Sequence, residues 1–459
     1  MVFGEFPSYN KEFFLAPDGI KASIGPGLLA SPFVWAFSLI DRLSGADIVN
    51  IRTLNNIQHS WSLFGFIFAT HFYFCLGCLI LFRCLRPHLG EKFVLWSIGL
   101  MVLAQGIPIY VFQRPVSSHA YEFFLQCLLA VFLVRTHLKH KPPRGIRDIL
   151  LIGVAVACVF LVRYNNAVLA LIWPLVIFWE EARDLKSGAF WLRIGAVFLI
   201  AGGLIFCFKI FPAYFTVVKN YPLAVKALTT VHAPTFYVRR FIHIVFGIDW
   251  GLLYTAPFVL IGMGALFVLR YPMKRHMLIL MLAGLINLYV AIIWKTQGGF
   301  YGYRYFVTSV IPLVVYPFGV FLRRLEARFG EKGWRIIFLL ALFPVLSMIS
   351  FTGNESNLMF GPAEQYFGQP GPGNDTFQME IWEMLLFTPQ DLLPVVLRGG
   401  PFYLIHVFCV LFECTEILPN VIYIRYPVFS GWVFLKIGLL YACPFYVFAL
   451  VGWRKKART

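Results

Sequence analysis

Charge is scarce in this chain: 13% of its 459 residues are Asp, Glu, Lys or Arg, while 59% are hydrophobic and the mean hydropathy is +0.74. A water-soluble fold of that composition would have to hide more apolar surface than its interior can hold, so lipid is the expected solvent. Period-two alternation of apolar and polar residues is lacking too, which excludes an outer-membrane barrel. Cys75 and Cys78 have the spacing of a metal or redox motif, but no second Cys or His pair follows at zinc-like distance. No metal site is expected, and Cys75, Cys78, Cys127, Cys158, Cys207 and Cys443 fall inside apolar runs where a small side chain packs. No secretory signal pattern follows Met1, and no internal repeat of fixed period is visible.

What is present is a series of long apolar runs. They predict an all-α, polytopic integral membrane protein with about eleven transmembrane helices and outward-facing juxtamembrane helices, each span needing about 20 apolar residues. The expected spans are 61–82, 93–112, 118–134, 148–162, 166–179, 190–211, 251–269, 277–294, 305–322, 335–351 and 428–452. The chain then divides into an external juxtamembrane segment (1–60), a transmembrane domain (61–351), an external loop (352–427) whose residues 394–418 suit an interfacial helix, and a last span with a basic tail (428–459).

The formal charge of +17 would raise the question of nucleic acid in a soluble protein, but its distribution answers differently. Alternate connections, among them those with Lys139, Arg275 and Arg324 and the tail at Lys456, hold 22 of the 39 basic residues and seven of the 22 acidic ones. That bias places them and the C-terminus in the cytoplasm. The location expected is therefore the plasma (cell inner) membrane, multi-pass, with function on the opposite side and no nucleic acid partner.

Two polar clusters stand at the outer ends of spans, where intramembrane charge is costly. In the first, Gln297, Gly298, Gly299, Phe300, Tyr301, Gly302, Tyr303 and Arg304 lead into a span, preceded by Lys295. Glycines let backbone approach a ligand, and an Arg at a helix start can hold phosphate oxygens in a fork. A tight turn with Arg304 among lipid headgroups explains the same residues. The second holds Ser118, His119 and Glu122, the last two on one helical face. At that depth Glu122 either pairs with a cation such as Arg163 or lines a polar site, and Arg163, Asn165 and Asn166 end another span on the same side.

Ser23 to Phe33 resembles the Gly-Pro-x-Leu-Leu-x-x-Pro-Phe signature in the first external loop of bacterial GT-C glycosyltransferases, the class of aminoarabinose transferases and protein O-mannosyltransferases. Further resemblances follow in order: Ser118 to Leu125, Arg163, Asp249 to Pro257, and Gly298 to Phe306, together covering residues 23 to about 322. The resemblance implies inverting transfer of a sugar from a polyprenyl-phosphate donor to an extracytoplasmic glycan, lipid or protein acceptor. It implies a carboxylate in the first external loop as base or ligand of a divalent cation, and cations for the lipid phosphate. Arg304, Arg163 and Lys295 could supply these cations, with His119, Glu122 and Tyr303 beside them in one substrate site.

Relatives of this class begin with a span that delivers the acid in a Gly-Asp-Glu-Pro-x-Tyr pattern. Gly4 to Tyr9 resembles a degenerate copy in which Glu5 would be the catalytic acid. A reading frame begun at an internal Met and a shortened, inactive member are the two accounts of the missing span. Two other functions are carried beside transfer: a transporter or lipid flippase, and a non-catalytic membrane scaffold.

Overall fold

The computed structural model describes residues 25–44, 61–103, 118–139, 145–163, 166–179, 188–209, 252–293 and 304–341, with a few isolated positions between them. These residues are 92% helix, with no strand among them. In chain order the helices are α1 (Gly25–Leu43), α2 (Trp61–Leu89), α3 (Glu91–Leu103), α4 (His119–His137), α5 (Ile146–Val162), α6 (Ala167–Ile177), α7 (Gly188–Lys209), α8 (Leu252–Thr255), α9 (Pro257–Val268), α10 (Lys274–Ile293), α11 (Arg304–Phe329) and α12 (residues 331–341).

Helix stands at each of the first ten expected spans, and the span at 428–452 lies outside the described residues. Among the described residues, three helices are long and apolar enough to cross a membrane: Phe64–Leu89, Gly188–Cys207 and Phe306–Phe329. For several of the other expected spans the described helix is too short. At 1.5 Å rise per residue, α3, α6 and α9 with 13, 11 and 12 residues reach only about 16–20 Å, short of a core of about 30 Å. In α4 it is not length that fails, because this helix carries His119, Glu122, Gln126, Arg135 and His137.

The chain forms two compact units. In the first, α1 lies against the start of α2 through an aromatic ladder: Phe33 meets Phe68 and Phe72 at 5.4 and 5.1 Å between centroids, and Phe37 meets Phe64 edge-on at 5.1 Å. Such pairs add about 0.5–1.5 kcal/mol each beyond burial. Gly65 lets the backbones close, since a Cβ there would stand 2.8 Å from the Phe33 carbonyl oxygen. The entry of α2 is fixed by Asp41, a carboxylate only 1% exposed. It accepts the Trp61 and Ser62 backbone N–H groups at 2.7 and 2.8 Å and the Ser62 hydroxyl at 2.5 Å, filling the role of an N-cap from 20 residues away. Asp41→Ala is expected to lower stability by about 1–2 kcal/mol and Asp41→Asn by much less. Thermal melting of the detergent-solubilised protein checks both.

In the second unit α11 is the central helix, 89% of its apolar window being buried, and it packs against α3, α4, α9 and α10. By contrast α7 touches chiefly α5 and keeps 22% of its window buried, leaving Leu192 and Leu199 76% and 78% exposed. A face of that kind is unfavourable in water at about 25 cal/mol per Å² and costs nothing in hydrocarbon.

The second unit also sorts polar residues by end. The starts of α4, α6 and α11 and the finish of α5 share one end, where Glu122, Asn166, Thr308 and Arg163 meet. The opposite end holds basic connections: Arg135 pairs with Asp148 at 2.9 Å, Arg324 donates to the Arg270 carbonyl at 3.1 Å, and Lys92 reaches Glu326 at 2.7 Å.

Candidate functional site

The site grows from three chain breaks. Helix α4 starts with Ser118, His119 and Glu122 on its first turn. Helix α5 ends because Arg163 turns to extended backbone (φ −155°, ψ 118°), which throws its side chain across the bundle end while its N–H still bonds the Val159 carbonyl. Asn166 then precedes α6 directly.

All three helix ends converge on Glu122, which is 1% exposed. Asn166 Nδ2 donates to Oε1 at 2.7 Å, the Thr308 hydroxyl donates to Oε2 at 2.7 Å, and the Arg163 guanidinium stands 3.3 Å from Oε2. Arg163 also donates through Nε to the Ser118 hydroxyl at 2.9 Å and lies 3.0 Å from His119 Nε2 through a terminal nitrogen. A guanidinium only donates, so His119 Nε2 accepts and the proton sits on Nδ1. Nδ1 faces the Thr308 oxygen at 3.4 Å, which in turn gives its own proton to Glu122. The donors thus run in one direction around a ring, from Arg163 through His119 and Thr308 to Glu122. The ring holds one positive and one negative charge with a neutral imidazole between them.

A buried ion pair persists when its remaining lone pairs and protons are bonded, and here two neutral donors complete the carboxylate. Among the described residues no group of three His, Cys, Asp or Glu side chains could hold a metal ion. Glu122 is the carboxylate of the ring, and His119, Ser118, Asn166 and Thr308 surround it.

Of the residues singled out from sequence, His119, Glu122 and Arg163 meet in this ring. Of the two roles open to Glu122, the geometry is that of pairing with Arg163. Arg304 begins α11, and Thr308 lies one turn beyond it, about 6 Å along the axis. The Arg304 side chain lies outside what the structure describes, as do Glu5, Lys295 and Tyr303. Thr308 is the member that sequence reasoning missed, since a single Thr in an apolar run is common. Its signal was the four-residue step from Arg304, which puts both on one helical face.

Gly25, which belongs with residues up to Leu29 to the second unit, also lies at this end. A Cβ on it would run into the backbone of Leu161 and Val162, so Gly25 lies directly on the last turn of α5 beside Arg163. Asp41, another buried carboxylate, is committed to capping α2. Set against known proteins, the chain matches no family model, no curated protein and no solved structure.

Proposed function

We propose that this chain is a multi-pass membrane protein of the GT-C glycosyltransferase type, binding a polyprenyl-phosphate-linked sugar at the outer ends of α4, α5, α6 and α11 and handing the sugar to an extracytoplasmic acceptor. The observation that carries it is the convergence of Glu122, Arg163, His119 and Thr308 on one end of the helices, one turn from Arg304. The positive-inside bias assigns that end to the extracytoplasmic face, with the tail at Lys456 in the cytoplasm. Arg304 stands at the helix start that follows Gly298, Gly299 and Gly302, where a fork of donors suits a lipid phosphate. Arg163 and Glu122 hold each other, so Arg304 and Lys295 are the cations left for that phosphate.

In membranes supplied with a polyprenyl-phosphate sugar, Arg304→Ala is expected to lower transfer at least about tenfold, the worth of one charge-assisted contact of 1.5–3 kcal/mol. Arg304→Lys should lower it less, because it keeps the charge while losing the fork. The amount of folded protein is measured beside activity, so that misfolding is separated from loss of contact. Equal transfer by wild type and Arg304→Ala would remove the assignment.

Transport is the second reading, and one observation favours it: polar groups continue inward along α4. Gln126, one turn past Glu122 and fully buried, accepts the Trp173 indole N–H at 2.7 Å. Its own Nε2 finds no hydrogen-bond partner among the described residues. Solute uptake into vesicles that depends on Gln126 but not on Arg304 would select this reading.

A further inference from the structure

We propose that the basic collar where α11 turns into α12 is a binding site for an anionic phospholipid. Its phosphate would sit among Arg324, Arg328 and Lys332, and its acyl chains along the exposed face of α12. The inference uses the membrane reading but is independent of glycosyl transfer.

The collar is built by a fixed turn. Gly330 adopts φ +53°, a left-handed conformation that ends α11 and turns the chain into α12. Glu326 then locks the two arms, accepting Lys92 at 2.7 and 2.8 Å and the Trp334 indole N–H at 3.1 Å. Trp334 and Phe338 in turn stack on Trp96 at 5.4 and 5.2 Å between centroids. The basic side chains therefore project from a braced scaffold, unlike those of a free loop.

Their charge is only partly compensated. Arg323, Arg324, Arg328, Lys332 and Arg335 are all exposed, and Arg324 ties the collar to Arg270 in the turn between α9 and α10. Against them stand Glu326, already engaged, and Glu331, 3.9 Å from Arg335. Among the described residues no carboxylate lies within ion-pair distance of Arg323, Arg328 or Lys332. An exposed basic cluster of this size attracts anionic lipid headgroups.

A soluble anion would satisfy the charge but not the surface beside it. On α12 the positions 332, 335, 336 and 339 share one helical face, so the cations Lys332 and Arg335 pass directly into Ile336 and Leu339. Ile336 is 53% exposed and Leu339 60%, with Phe338 at 46% on the flank. Cations followed along one face by exposed aliphatic side chains match the order of a phospholipid, headgroup first and acyl chain after.

The test uses the full chain in nanodiscs of phosphatidylcholine alone or mixed with phosphatidylglycerol, with lipid retained on release into neutral detergent counted by native mass spectrometry. Wild type should retain phosphatidylglycerol well above its share in the disc, and Arg324→Gln/Arg328→Gln/Lys332→Gln should lose that preference about tenfold or more. Lys139→Gln/Lys141→Gln, which removes charge from another basic connection, should keep it. If the triple variant does not fold, Arg328→Gln alone carries the comparison, since this exposed side chain has no ion-pair partner among the described residues to leave behind. Equal retention of the two lipids by wild type would overturn the site. Equal loss in the Lys139 and Lys141 variant would replace it with general surface charge, and displacement of the lipid by inorganic phosphate would replace the lipid with a soluble anion.

Discussion

Glu122→Gln is expected to lower the stability of the folded protein by about 3–5 kcal/mol, because it leaves Arg163 charged and buried without its counter-ion. Arg163→Met should cost a similar amount, stranding the carboxylate instead. The double variant Glu122→Leu/Arg163→Met removes both charges and should recover much of the loss, since buried pairs gain little net stability over apolar residues of similar size. Thermal or denaturant unfolding in one detergent gives the coupling between the two positions. A double variant as unstable as the sum of its parts would show that the two side chains act independently, against the 3.3 Å contact.

The second large effect is steric. At Gly25 a Cβ would enter the backbone of Leu161 and Val162, and backbone cannot swing aside as a flexible side chain can. Gly25→Val is expected to cost about 1–3 kcal/mol in overpacking, and to displace the end of α5 that aims Arg163. Gly330→Val probes a different physics. Nothing lies within 4 Å of a Cβ there, so its expected loss comes only from the left-handed backbone and should be about 1–2 kcal/mol. Melting of the two variants side by side checks both. A Gly25→Val protein as stable as wild type would mean that Gly25 does not rest on the end of α5.

Much of this was legible in the sequence, and the reasons differ by element. The apolar runs mark where helices form, because a run of 20 or so apolar residues has few other stable conformations in lipid. How far each helix extends is not marked in the same way, as α6 with 11 residues and α9 with 12 show. The pairing of Glu122 with Arg163 could be offered as one of two outcomes, since a carboxylate at that depth needs a cation or a polar pocket. Helix α1 was given no bounds within the juxtamembrane segment 1–60. Its Gly-Pro-Gly start and interior Pro32 are local helix breakers, yet Phe33 and Phe37 pack against α2 and tertiary packing prevails.

The roles of Asp41 and Thr308 were not legible at all. Asp41 caps a helix that starts 20 residues later, and local patterns such as a capping box look only three residues ahead. Thr308 meets Glu122 across 186 positions of chain, a contact that no single-sequence periodicity contains.

The most direct measurement is of binding to the full chain in nanodiscs, comparing a polyprenyl phosphate with the neutral polyprenol of the same length. The account predicts that the phosphate binds at least about tenfold more tightly than the alcohol, the difference that one cation to phosphate contact supplies. It also predicts that Arg304→Ala erases the difference while leaving the polyprenol unchanged. Equal affinity for the phosphate and the alcohol would contradict a lipid-phosphate site at the outer ends of these helices.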